Sequence, residues 1–160
     1  MNLITDLLQA VLTICILGCA YGFYRTWKTG TQKEYARFQS GSASSLPSEG
    51  PYNGRADELG DISWKGKTLS SGGKGMNAFE KNGVKSQAYP FIYSVSESIG
   101  FPGKKVIRLD YNQPENPFWL RFIVDEMVEE APAKYLGVVY ISLIPATPFR
   151  MGYFTLERSA

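Results

Sequence analysis

The chain has no histidine among its 160 residues. Ser-His and Cys-His nucleophile pairs are therefore excluded, and so are the usual histidine-containing zinc sites. Cysteine is nearly as scarce. The two present, Cys15 and Cys19, both lie inside an apolar run, one helical turn apart, so neither a disulfide framework nor a zinc site is available to the rest of the chain. Excess charge is missing too, with a net of +2 overall. Four basic side chains (Arg25, Lys28, Lys33, Arg37) stand against one acid (Glu34) over residues 25–37. With Asp6 set against that cluster, residues 38–160 come out neutral, which is poor material for nucleic acid. Ser71-Gly-Gly-Lys74-Gly75 lacks the spacing of a phosphate-binding loop and reads as a hairpin turn.

What the chain does have is an apolar start. Leu3 to Tyr24 reads LITDLLQAVLTICILGCAYGFY, with only Thr5, Asp6, Gln9 and Thr13 as polar interruptions. At about 1.5 Å per residue such a helix reaches roughly 33 Å, enough to cross a bilayer core. Asp6 sits near its end, where a charge reaches the interface at low cost. Tyr21, Phe23, Tyr24 and Trp27, mixed with Arg25 and Lys28, make the aromatic and basic collar expected where a helix leaves lipid. Three readings compete: an uncleaved anchor, a signal peptide cut after Gly18-Cys19-Ala20, and a lipoprotein signal at Cys19. Both processed forms normally carry a basic stretch ahead of the apolar run. Here nothing before Arg25 is Lys or Arg, which favours the anchor. The positive-inside rule then places the C-terminal side in the cytoplasm.

Gly18 and Gly22 form a GxxxG pair, and Val11 and Cys15 continue that strip at helical spacing. Small residues let a second helix approach closely; the plainer alternative is that glycine is common in membrane helices. Residues 1–30 are thus read as a transmembrane anchor with its collar. Residues 31–51 follow as a linker segment. Within it, Thr31 to Glu34 has the capping-box pattern and predicts a short interfacial helix, and Ser40 to Asn53 is rich in Ser, Gly and Pro.

Residues 52–160 form one small domain of short β-rich runs. Six strands are predicted, at Ile62–Leu69, Ala88–Val95, Val106–Tyr111, Phe118–Val128, Tyr135–Leu143 and Met151–Leu156, with one or two helical turns at Met76–Lys81. Pro90 argues for an edge or a bulge. The fold class is mainly β, an antiparallel meander closed as a barrel or stacked as a sandwich. Along the fourth strand Phe118, Leu120, Phe122, Val124 and Val128 form the core face, leaving Trp119, Arg121, Ile123, Asp125 and Met127 opposite. Arg121 with Asp125, and Arg108 with Asp110, then read as ion pairs on one face or, with that face inside a barrel, as the polar groups of a pocket beside Trp119. Lysines 65, 67, 74, 81 and 85 make a locally basic region, read as a basic patch for acidic headgroups or an acidic partner or, more plainly, as a solvated face. The wealth of Phe and Tyr predicts a packed interior or a shallow groove.

The series Ser63-Trp64-Lys65-Gly66-Lys67, Asp110-Tyr111-Asn112, Asn116-Pro117-Phe118-Trp119-Leu120-Arg121, Asp125-Glu126, Tyr135-Leu136-Gly137 and Gly152-Tyr153-Phe154 resembles uncharacterised bacterial proteins. Those pair a hydrophobic N-terminus with a small barrel of lipocalin-like character. The resemblance implies that Trp64 packs at the barrel base against Arg158, although Gly60 stands four residues before Trp64 where the GxW pattern has two. Haem-binding relatives of such barrels use histidine, which this chain lacks. The expectation is a non-catalytic subunit with no cofactor and no metal, in a bacterial inner membrane. Its partners would be membrane lipids and other subunits of an integral membrane complex. The rival expectation is a carrier or sensor of a hydrophobic ligand or lipid.

Overall fold

The apolar N-terminal run forms one unbroken helix, α1 (Leu3–Gly30), opened by Asn2, whose Oδ1 accepts from the Ile4 N–H at 3.4 Å. It is long and apolar enough to cross a bilayer. A computed structural model describes residues 2–56, 58, 62–144 and 146–159; Gly60, of the GxW comparison, lies outside them. A second helix, α2 (Lys33–Ser40), follows with Gln32 at its N-cap and no side-chain cap. The capping box does not form because Thr31 closes α1 instead, its hydroxyl donating to the Lys28 carbonyl at 2.8 Å. Nor does α2 present its aromatic side to a membrane surface. Phe38 is fully buried against Val106, Val128 and Leu136 of the domain wall.

Eight strands follow: β1 (Gly50–Arg55), β2 (Trp64–Ser70), β3 (Lys74–Lys81), β4 (Val84–Glu97), β5 (Lys105–Asp110), β6 (Ile123–Ala131), β7 (Lys134–Ile144) and β8 (Thr147–Arg158). Each pairs antiparallel with its neighbour in sequence, and β8 pairs with β1, so the meander closes into a barrel rather than a sandwich. Closure removes the exposed edges that an open sheet would leave.

Two strands escape the six-strand expectation. β1 (GPYNGR) carries turn residues and reads as linker, yet it is the strand that joins β2 to β8. β3 (KGMNAFEK) has helix formers in Lys, Met, Ala and Glu beside a Gly, but it pairs along its length with both β2 and β4, and that tertiary pairing overrides local propensity. Its close is legible in hindsight: Asn82-Gly83, at φ of 52° and 76°, is the two-residue turn that favours a hairpin. The Ser/Gly/Pro segment is shorter than expected and partly strapped down. The Ala43 N–H donates to Lys105 O and the Glu129 N–H to Ser42 O. Pro90 does sit beside a bulge: Met76 and Asn77 on the facing strand pair with Pro90 and Ala88, which leaves Tyr89, at φ 59°, as the extra residue.

The run from Phe118 divides. Phe118–Phe122 is a 3-10 turn following Pro117, and only from Ile123 does the chain pair as a strand. Its faces are the reverse of those expected. Asp125 and Met127 point into the barrel, while Glu126 and Val128 point outward beneath α2 and residues 98–103, and all four are buried.

Candidate functional site

The barrel has two dissimilar ends. At the lower end, where β6 turns into β7 and β4 into β5, Leu69, Ile107, Met127 and Leu156 fill the interior and Tyr52 meets Tyr135 edge to face. At the upper end lie the β1–β2 and β3–β4 connections, the 3-10 turn and the β7–β8 hairpin. Here the interior holds a pocket of about 320 Å³. Trp64, Phe79, Tyr89 and Phe154 supply its aromatic wall, and Leu120, Ile123 and Val139 its aliphatic one. Its surface is almost wholly apolar. Outer-wall depressions of about 420 and 730 Å³ are lined with many charged and polar side chains, including Arg37, Lys65 and Glu80. The interior pocket is also of the size and character of small-ligand sites.

The floor of the pocket is a buried polar cluster. The Lys67 ammonium donates to Asn77 Oδ1 at 3.0 Å, to Asp125 Oδ2 at 2.9 Å and to the Tyr111 hydroxyl. Tyr111 donates to the same Asp125 oxygen at 3.0 Å, and Trp64 Nε1 donates to Asn77 Oδ1 at 2.9 Å. A lysine has three donors, and all three are used. The rings of Trp64, Phe91, Tyr111 and Phe154 stand 5.1–5.6 Å from Nζ, so the cation is also faced by π-systems. Burial pushes the Lys67 pKa down, with Asp125 opposing, and pushes Tyr111 well above its ordinary value. Tyr111 therefore remains a neutral donor across the physiological range. With the donors of Trp64, Lys67, Asn77 and Tyr111 all paired internally, the floor presents no free donor to an occupant.

Space for the aromatic wall is made by small residues across from it. A Cβ on Gly137 would stand 2.1 Å from the Phe154 ring, so the ring lies where a side chain would otherwise be.

Of Arg108, Asp110, Trp119, Arg121 and Asp125, set apart in the sequence as a pocket or ion-pair face, Asp125 alone enters this site. Arg121 donates from the 3-10 turn to Asn116 O at 3.0 Å and Pro114 O at 2.6 Å. Asp110 is exposed and accepts from the Asn112 N–H. Arg108 lies on the outer wall, donating to Glu97 O and standing 3.7 Å from Glu126. Trp119 is 61 % exposed. The expected pairs Arg121–Asp125 and Arg108–Asp110 are not formed, because Arg121 lies in the turn and Asp125 is turned inward to Lys67. Lys67 is the main omission, and it is buried rather than solvated. Its signal was parity, since it shares a strand face with Leu69 two residues on. Trp64 and Arg158 do not meet as the lipocalin-like resemblance implies. Register sets Trp64 opposite Phe79 and Arg158 opposite Tyr52, and Arg158 hydrogen-bonds Ser48 and Glu49 O.

Outside the barrel, Glu126 is fully buried and ties down residues 98–101, accepting from Ser98 Oγ and the Ile99 N–H. Burial raises its pKa, against those two hydrogen bonds and Arg108. Among the described residues no group of three His, Cys, Asp or Glu is placed to hold a metal ion.

The helix strip also divides. A Cβ on Gly22 would lie 2.6 Å from the Phe149 ring, so this glycine seats the chain's own barrel, not another helix. Nothing lies within 4 Å of such a Cβ at Gly18, and Val11 and Cys15 are exposed with it. In the collar, Tyr21, Tyr24, Trp27 and Lys28 are exposed. Arg25 turns inward to Met151 O and Glu58. Thr26 Oγ accepts from the Arg150 N–H at 2.9 Å, and the Tyr153 hydroxyl donates to Thr29 O at 3.4 Å. Comparisons with protein-family models, curated proteins and solved structures found no match.

Proposed function

We propose that this chain is a non-catalytic barrel, anchored in a bacterial inner membrane by α1 with its domain on the cytoplasmic side, that holds a small apolar ligand as carrier or sensor. One observation carries the reading: a pocket of about 320 Å³ in the barrel interior, walled by aromatic and aliphatic side chains over a floor whose donors are already paired. Such a floor supports binding over chemistry, since its lysine and tyrosine are held as donors to Asn77 and Asp125. The likeness of the sequence to lipocalin-like barrels points the same way. The test is titration of the full chain, in phosphatidylcholine nanodiscs, with the fluorescent probe 1-aminoanthracene. Saturable enhancement at one probe per chain, abolished by Val139→Phe in a chain that still melts cooperatively, is expected. Equal enhancement in wild type and variant would remove the pocket reading.

A second reading has its own support. Val11, Cys15 and Gly18 leave an open strip on α1, while Arg25, Thr26 and Thr29 join the helix to β8 in one orientation. An accessory subunit docking on an integral membrane complex would use such a strip. Gly18→Leu should then release the chain from co-purifying membrane subunits without disturbing the barrel; unchanged co-purification would refute docking through that strip.

A further inference from the structure

The pocket and the apolar half of α1 lie at the same end of the barrel. α1 runs along β8, with Gly22 against Phe149, Thr26 at Arg150 and Thr29 at Tyr153. Its N-terminal half therefore leaves the barrel past the start of β8, which is the upper end. From Leu3 to Tyr21 it rises for about 28 Å at about 1.5 Å per residue, close to the roughly 30 Å of a hydrocarbon core. The exposed rings of Tyr21, Tyr24 and Trp27 then mark the near interface, at the height where Gly22 and Phe23 meet Phe149. The β7–β8 hairpin continues beyond that height and exposes Leu143 and Ile144. Across the same rim the 3-10 turn holds out Phe118, 74 % exposed, and Trp119. A barrel rim carrying these four side chains, at the level where the anchor enters lipid, has the bilayer as its counterpart.

We infer that the upper rim rests in the bilayer interface and that the pocket draws its occupant from the membrane, taking the hydrocarbon chain of a lipid out of the leaflet and down into the barrel. The inference rests on the pocket reading above and adds the ligand class and its source. Charge and volume agree with it. The pocket surface is almost wholly apolar and the donors of its floor are paired, so the end of the ligand that enters is hydrocarbon, and its headgroup stays at the rim. At about 30 Å³ per small group, the share of one water in the liquid, the space takes on the order of ten methylenes. That is a substantial part of one acyl chain, not a whole two-chain lipid.

The chain's own tryptophans test this. One, Trp64, lines the pocket, and another, Trp119, sits on the rim. Full chain with Trp27 and Trp119 changed to Phe is reconstituted in phosphatidylcholine vesicles whose acyl chains carry bromine, a short-range quencher. Trp64 emission should be largely lost relative to unbrominated vesicles, and Val139→Phe, by filling the pocket, should restore it. A companion chain retaining only Trp119 should be quenched with or without Val139→Phe. Unquenched Trp64 together with saturable 1-aminoanthracene binding would overturn the membrane source and leave the pocket reading standing. Unquenched Trp64 with no probe binding would overturn both. Quenching of Trp64 that survives Val139→Phe would show the rim in lipid but no chain in the pocket, and would equally overturn the inference.

Discussion

At the lower end of the barrel Leu69, Ile107, Met127 and Leu156 are removed from solvent, whereas at the upper end Phe79, Tyr89, Ile123 and Val139 remain partly exposed around a pocket. The same strands build both ends. The difference lies in what separates them, a tier of Lys67, Asn77, Tyr111 and Asp125 across the middle. Below the tier, residues two apart on each strand interlock in the manner of an ordinary core. Above it, aromatic rings line the wall and leave the centre open. A satisfied polar layer is a costly way to divide a barrel, because replacing a buried ion pair by apolar side chains is often neutral or stabilising. Its presence implies that the two ends are kept apart for a reason other than stability.

The largest effect should come from opening that tier. Asp125→Leu leaves Lys67 buried without its counter-charge, and should cost about 3–5 kcal/mol in chemical denaturation of the full chain. The double change Lys67→Met, Asp125→Leu should recover most of that loss. A double variant as unstable as the single one would show that the tier holds the barrel together through more than its charges.

Truncation should separate the two ends next. Leu156→Ala, in the filled end, should cost about 3 kcal/mol. Ile123→Ala borders space that already lacks partner atoms, so it should cost only about 1 kcal/mol. Equal losses at the two sites would mean that the upper end is filled in solution.

A smaller effect belongs to the outer wall. Glu126 has a folded pKa raised above the ordinary carboxyl value. Between the unfolded value and the raised one, the folded chain keeps a proton that the unfolded chain has shed. Its contribution to stability is therefore present below the unfolded pKa and lost as pH climbs through the folded one. Glu126→Gln should thus be at least as stable as wild type at neutral pH, by about 1 kcal/mol, with the advantage shrinking toward pH 4. Both chains would be melted across that range. A variant advantage that grows on acidification would mean that hydrogen bonding at Ile99 and Ser98, not burial, governs this carboxyl.

How much of this the sequence shows depends on whether a residue's role is local. The long helix follows from composition, because one uninterrupted apolar run determines it. The barrel as a class follows from alternation and turn residues. β3 is not legible in the same way, since nothing in KGMNAFEK outweighs its helix formers except the strands on either side. The site is harder again. Lys67 and Asp125 are 58 residues apart and meet only because closure brings β2 and β6 to one interior. Gly22 carries a signal for helix packing that is sound in kind, but the surface it accommodates is Phe149 of the same chain, far along in sequence. Strand parity does reach across such distances, and applied to Lys67 and Leu69 it places a cation inside.

The smallest effect on stability should come from the rim, and that is why the rim sharpens the comparison between the ends. Phe118 and Trp119 are mostly exposed; Phe118 makes one edge-on contact with Phe122, and each contributes little to the folded chain. Changing both to Ser should alter denaturation by about 0.5 kcal/mol or less, as is usual for surface substitutions. If the upper end is built to face lipid, the same change still matters elsewhere. Removing two aromatic side chains from an interfacial seat takes away apolar area that the bilayer would otherwise cover. Made in a chain that also carries Trp27→Phe, the variant should insert normally through α1, yet its one remaining tryptophan, Trp64 in the pocket, should lose contact with brominated chains. On the lower end Tyr135→Ser would not serve as the control because Tyr135 is core; Lys134→Ser, exposed beside it, does. Loss of quenching in the Phe118, Trp119 variant, with Lys134→Ser unchanged, would distinguish an end that meets the membrane from one that merely lacks filling, while loss in both would trace the effect to the barrel as a whole.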